Sequence, residues 1–221
     1  MRKFTLALLL AFAVLTLYAQ KQEYANLREA IFSARNLSGG RGPSNVVWIH
    51  GGSQYSFTKN NERIQEIWIH DIASGEETLA FSAEGLTMQD SENQFRYRSF
   101  EWAGDYSYLL FQTNFSPIWR YSGNSDYYYY SIADKKLELI VEQAFSAEVS
   151  PDGTKLGYGK DGDLYMYTFE DGQTKRFTDD AEKHFYNGRW GWAYEEEFGL
   201  VQAWHWSHDS RYIAYWQSDE R

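Results

Sequence analysis

No cysteine occurs in the 221 residues. That excludes disulfides, thiolate nucleophiles and cysteine zinc sites together, and with them a lipid anchor of the bacterial lipoprotein kind. Basic residues are in deficit, since 21 Lys and Arg stand against 31 Asp and Glu and leave a formal charge of −10. Nonspecific nucleic-acid binding depends on cations that neutralise phosphates, so this balance argues against it and is compatible with cationic peptides as partners. Long hydrophobic runs are missing as well. The apolar run from Phe4 to Tyr18 has about 15 residues, short of the ~20 that a helix needs to span a bilayer.

What is present suits a folded domain, with 43% hydrophobic and 19% aromatic residues rather than the apolar-poor composition of a disordered tail. Arg2 and Lys3, the apolar run and its exit at Leu17-Tyr18-Ala19 have the three parts of a secretory signal. A leader over residues 1–19 is therefore expected, cleaved after Ala19 or Gln20, with the mature protein periplasmic or secreted. Residues 20–44 read as a short helix and a linker. Leu27, Ala30, Ile31 and Ala34 fall at helical spacing within 21–37, and Ser38-Gly39-Gly40-Arg41-Gly42-Pro43-Ser44 breaks the pattern. A phosphate-cradling glycine loop needs a strand before it and a helix after it, and here the order is the reverse.

From Asn45 to Arg221 short apolar alternations separated by turns predict antiparallel strands. They recur. Glu66 to Ile72, Asp126 to Ile132 and Asp163 to Phe169 resemble one another, and each is followed by a polar turn and a further strand. Interleaved with them, Trp102-Ala103-Gly104-Asp105, Val149-Ser150-Pro151-Asp152-Gly153 and Trp206-Ser207-His208-Asp209-Ser210 each lead into a strand. Asp105 to Asp152 is 47 residues and Asp152 to Asp209 is 57, close to the period of a four-stranded propeller blade. The expectation is an all-β chain, a partial β-propeller of three to four blades over 45–221. Closed propellers generally need about four to eight blades, so the sequence reads as the N-terminal piece of a longer protein.

The extra residues of the second interval coincide with Trp192-Ala193-Tyr194-Glu195-Glu196-Glu197-Phe198. Three adjacent carboxylates repel, and aromatic neighbours that displace water add to the effect. Each should raise its neighbours' pKa unless a cation arrives. The plainer alternative is a polar turn, or a short helix whose acids favour the positive end of its dipole. The wider stretch, with Ala203-Trp204-His205-Trp206-Ser207-His208-Asp209 and Tyr212-Ile213-Ala214-Tyr215, resembles the double-glutamate segment of the dipeptidyl peptidase IV family of the prolyl oligopeptidase clan. Leu109 to Asn114, Ile118-Trp119-Arg120-Tyr121-Ser122 and Asp126-Tyr127-Tyr128 resemble the family's segment with the substrate-binding arginine. One departure is visible, Gly191 standing where the family has Asp.

The resemblance implies an eight-bladed propeller followed by an α/β-hydrolase domain that carries Ser, Asp and His. Neither that domain nor its G-x-S-x-G elbow occurs in these residues, so no catalytic residue is assigned. It implies that Glu196 and Glu197 bind the α-amine of a peptide substrate and that Arg120 binds a substrate carbonyl, with no direct contact inferred for Glu195. The implied activity is release of Xaa-Pro or Xaa-Ala dipeptides from a free N-terminus, needing no cofactor. The full-length protein could form a homodimer. A prolyl tripeptidyl peptidase and a non-catalytic propeller that receives a basic protein are the alternatives. His205 and His208 have a spacing that could chelate on a helix, but they sit in strand and turn without a third ligand, so no metal site is assigned. Tyr127 to Tyr130 are expected to fill and rim a sheet. Asn36 and Asn114 fit the glycosylation pattern without other support.

Overall fold

The computed structural model describes residues 24–37, 42–89 and 91–221. The expected leader and the loop over 38–41 lie outside the described residues. The chain divides into two units, 1–42 and 43–221. In the first, helix α1 spans Leu27–Leu37. It starts at Leu27, the first of the apolar residues at helical spacing, where the Asn26 side chain accepts from the Glu29 N–H (2.9 Å) and Glu29 in turn accepts from the Ala25 N–H (2.8 Å). Such reciprocal bonds satisfy donors that a helix start leaves unpaired.

The second unit is built from four-stranded antiparallel meanders. The first contains β1 (Ser44–Ile49), β2 (Gln54–Asn61), β3 (Ile64–Asp71) and β4 (Glu77–Ser82); the second contains β5 (Ser99–Ala103), β6 (Tyr108–Pro117), β7 (Gly123–Ser131) and β8 (Lys136–Ala144). The third contains β9 (Ser146–Val149), β10 (Lys155–Lys160), β11 (Asp163–Thr168) and β12 (Thr174–Arg176). Beyond them β13 (Phe185–Asn187) pairs with β16 (Gln217–Asp219), and β14 (Trp204–Trp206) with β15 (Ile213–Tyr215). Helix α2 (Trp192–Phe198) lies between β13 and β14. This is a partial β-propeller, with three full blades and part of a fourth among the described residues. The recurrent segments of the sequence fall on equivalent elements: β3, β7 and β11 are each the third strand of a blade, and the Gly-Asp, Asp-Gly and Asp-Ser turns each join a first strand to a second.

Packing between blades follows from side-chain alternation. All four tyrosines of β7 are buried, with Tyr128 and Tyr130 in a cluster with Ile67, Phe81, Phe95 and Phe111, and Tyr127 and Tyr129 in one with Val149, Leu156 and Tyr158. One face of the second blade thus packs on the first and the other on the third. Indole N–H groups bridge blades too, Trp102 donating to the Ser56 hydroxyl and Trp204 to that of Ser146, both at 2.8 Å.

The turns between first and second strands form a contact chain. The rings of His50 and Tyr106 lie 4.6 Å apart, Gly104 meets Gly153, and the Asp152 N–H donates to the Ser210 hydroxyl at 2.9 Å. The middle link permits no side chain. Gly153 has φ +72°, and a Cβ there would lie 2.4 Å from the Gly104 Cα. Gly153→Ala should therefore destabilise the full-length protein by about 2–4 kcal/mol, from left-handed strain and overpacking together. Gly85 has the same φ with open space around it, so Gly85→Ala should cost only the strain, ~1 kcal/mol. Denaturant unfolding of both variants checks the difference, and equal losses would refute the close-approach argument.

Candidate functional site

Two elements distant in sequence meet at the fourth blade. The first is the connection Ile118 to Ser122 between β6 and β7, closed by an N–H bond from Ile118 to the Ser122 carbonyl (2.9 Å). A bulge shifts the β6–β7 register between Thr113 and Ser116. It is pinned by Asp126, which accepts from the Asn114 amide at 2.6 Å and from the Gln143 N–H at 2.9 Å. Bulges bend a strand and re-aim the residues beyond the bend.

The second element is α2, seven residues long and with no side-chain cap at Gly191. Its C-terminus is closed by N–H bonds from Gly199 to the Glu195 carbonyl (2.9 Å) and from Leu200 to that of Tyr194 (3.3 Å). Trp190 and Tyr194 stack with ring centroids 4.9 Å apart. The crowded stretch is a helix rather than a turn, and consecutive helical positions are about 100° apart. The three carboxylates therefore point in three directions.

Glu195 turns inward and is 1% exposed. One of its oxygens, Oε1, accepts from the peptide N–H groups of Tyr121 (2.8 Å) and Ser122 (2.9 Å). Burial alone would raise its pKa, but the donors of Ser122 and Tyr121 and the nearby Arg189 outweigh that and hold the carboxyl below the usual range. Mutual elevation of the acids, expected from their adjacency, is thus reversed at Glu195. Glu196, one position further round the helix, pairs through its Oε2 with Arg120 Nη2 at 3.0 Å; the Glu196 side chain is 15% exposed and that of Arg120 62%. Tyr121, then Glu196, push the guanidinium pKa further up. Glu197 is exposed and makes no hydrogen bond or ion pair among the described residues.

Of the residues singled out in the sequence, the structure brings Arg120 and Glu196 into contact and leaves Glu197 exposed at the next position of α2. Arg189 is an additional member that sequence reasoning missed, and Glu195, named there without a direct substrate contact, joins the arrangement by binding the loop amides. The Arg189 guanidinium lies over the rings of Trp119 (4.6 Å), Phe145 (4.7 Å) and Tyr186 (5.0 Å), and burial lowers its pKa. A helical period through 192–198 would have separated Glu195 from Glu196, but no local pattern marks Arg189. His205 lies in β14 beside Glu148 (3.1 Å), and His208 is in the following turn. Among the described residues no cluster of three or more His, Cys, Asp or Glu could hold a metal.

Because Glu195 has a depressed folded-state pKa, its stabilising contribution is complete above the unfolded glutamate value of about 4.3 and is lost as pH falls through the folded value. Glu195→Gln should be less stable than the wild type at neutral pH, and the gap should close on acidification below about pH 4. Thermal melts from pH 7 to pH 3 check this, and a gap that does not change with pH would contradict it.

Comparison with known proteins bears on the same residues. A family model described as the dipeptidyl peptidase IV (DPP IV) N-terminal region matches residues 103–221. Dipeptidyl aminopeptidase B of Saccharomyces cerevisiae is 30% identical over 139 residues, covering 62% of this chain and 17% of the yeast protein. Dipeptidyl peptidase 4 of Bos taurus is 32% identical over 123 residues, covering 52% and 16% respectively. The chain thus spans about a sixth of the length of these relatives. Among solved structures, dipeptidyl peptidase 4 of Porphyromonas gingivalis superimposes with a TM-score of 0.70 at 23% identity, over 90% of this chain and 28% of the other. Oligogalacturonate lyase of Vibrio parahaemolyticus shares the same architecture at TM-score 0.54 and 13% identity, over 82% and 49%, so the blades alone do not define an activity. The family match covers both the arginine loop and the glutamate helix, and with it more than half of the residues: the chain belongs to the dipeptidyl peptidase IV family, as a part of its N-terminal region.

Proposed function

We propose that these residues form the substrate-recognition part of a serine exopeptidase that releases Xaa-Pro or Xaa-Ala dipeptides from peptides with a free N-terminus. Glu196 and Glu197 would clamp the substrate α-ammonium, and Arg120 would donate to a substrate carbonyl. The observation that carries the reading is the Arg120–Glu196 pair at 3.0 Å, with Glu197 exposed at the next position of the same helix. An α-amine with a pKa near 8 is largely protonated at neutral pH, and its three N–H groups can make charge-assisted bonds to two carboxylates. Arg120 offsets part of the negative charge through one edge of its fork and keeps other donors free for a carbonyl. A clamp at a fixed distance from a nucleophile elsewhere in the full-length protein acts as a ruler and selects the second peptide bond. The apolar leader with Arg2 and Lys3 supports export to the periplasm or beyond the cell.

In the full-length protein, Glu196→Gln and Glu197→Gln should each lower kcat/KM for an Ala-Pro substrate by at least about tenfold, since a charge-assisted contact contributes ~1.5 kcal/mol or more. An N-acetylated substrate should not be cleaved. Unchanged kinetics in both variants would remove the clamp assignment.

A further inference from the structure

Arg120 does not hold its own position. Its side chain is the most exposed part of the pair, and the five-residue connection that carries it has one backbone bond of its own, from Ile118 to Ser122, beside a long contact of 3.4 Å from Trp119 to the same carbonyl. What fixes the connection comes from the segment around α2, on both sides of Arg120. On the N-terminal side, the Trp119 ring lies 4.6 Å from the Arg189 guanidinium, which also meets Phe145 and Tyr186. On the C-terminal side, the Tyr121 and Ser122 N–H groups both donate to Glu195 Oε1.

We propose that Glu195 and Arg189 are positioning residues that bracket the Arg120 loop and set the reach of Arg120 toward Glu196. This rests on the clamp reading above for its functional consequence, though not for its structural one. Glu195 cannot itself serve as a third ligand for an ammonium, because it is 1% exposed and turned away from the open side of the helix. The adjacent glutamates divide the work: Glu195 holds the arginine, and Glu196 pairs with it. Glu195 and Arg189 feel each other's charge but do not form an ion pair among the described residues. Each therefore grips the loop separately, one through peptide N–H groups and one through an aromatic face.

The test uses the full-length protein with Glu195→Gln, Glu195→Met and Arg189→Met. Hydrogen exchange resolved at the Tyr121 and Ser122 amides should accelerate in the order wild type, Glu195→Gln, Glu195→Met. The expected change is about threefold or more for Gln, which keeps a neutral acceptor, and tenfold or more for Met, which has none. Should the Met variant fail to fold, the Gln variant decides. Unchanged exchange in Glu195→Gln would overturn the role of Glu195, and unchanged exchange of the loop in Arg189→Met that of Arg189. A second readout is kinetic: Glu195→Gln should lower kcat/KM for an Ala-Pro substrate mainly through KM, and this loss should largely vanish when Arg120 is already Ala. Equal losses in the two backgrounds would mean that Glu195 does not act through Arg120. If the wild-type protein cleaves no such substrate, the clamp reading fails on its own, and the exchange measurement still decides the bracket.

Discussion

A four-stranded sheet that is apolar on both faces cannot stand in water by itself, and this requirement governs the architecture. β7 presents two rows of tyrosines, one to the first blade and one to the third. Each aromatic side chain removes a large area from water, and edge-to-face contacts such as Phe81 with Tyr130 (4.9 Å) and Phe95 with Tyr128 (5.2 Å) add specificity. Blade stacking is thus the source of the core rather than a later assembly of finished parts. The turn contacts set how closely the stack can close, because Gly104 and Gly153 meet backbone to backbone.

The candidate site exploits that stacking. A loop on the second blade and a helix in the fourth can touch only because the third blade between them holds their tips in order. Glu195 reaches across 73 residues of sequence to the Ser122 N–H, an interaction that no isolated hairpin could form. A buried carboxylate without donors would be costly, whereas two peptide N–H groups at 2.8 and 2.9 Å satisfy it and retain the charge. The same bonds satisfy two loop amides that the β6–β7 ladder leaves unpaired.

Much of the fold was legible in the sequence because its signals are local. The third strands and the Gly-Asp, Asp-Gly and Asp-Ser turns repeat within short windows, and each fell on the same element of its blade. The first blade's turn, His50-Gly51-Gly52-Ser53, lacks the aspartate of the others and escaped the pattern, although it occupies the equivalent place. The pairing of β13 with β16 joins strands about 30 residues apart with α2 and a hairpin between them, so alternation could not reveal it. Arg120, Glu196 and Glu197 were found by resemblance. The inward turn of Glu195 depends on α2 being helical, and the cage around Arg189 draws Trp119, Phe145 and Tyr186 from separate strands and loops.

Gly191 is the one visible departure from the family pattern in this region, and its surroundings account for it in physical terms. An aspartate at the start of a helix ordinarily accepts from the first free N–H groups. Here a Cβ at Gly191 would lie 1.4 Å from Glu220 Oε1, so the space is already taken by a carboxylate from the segment after β16. That carboxylate makes no hydrogen bond to α2, but it puts negative charge beside the helix's positive end. A seven-residue helix is too short to be stable alone. Its hold is tertiary: Glu195 bonded to the loop, Tyr194 stacked on Trp190, and Trp190 in turn against Trp216 at 5.2 Å. Loss of one cap is tolerable where two side-chain contacts of the helix, one of them backed by Trp216, already fix it, and those contacts are also the ones that decide where Glu196 points.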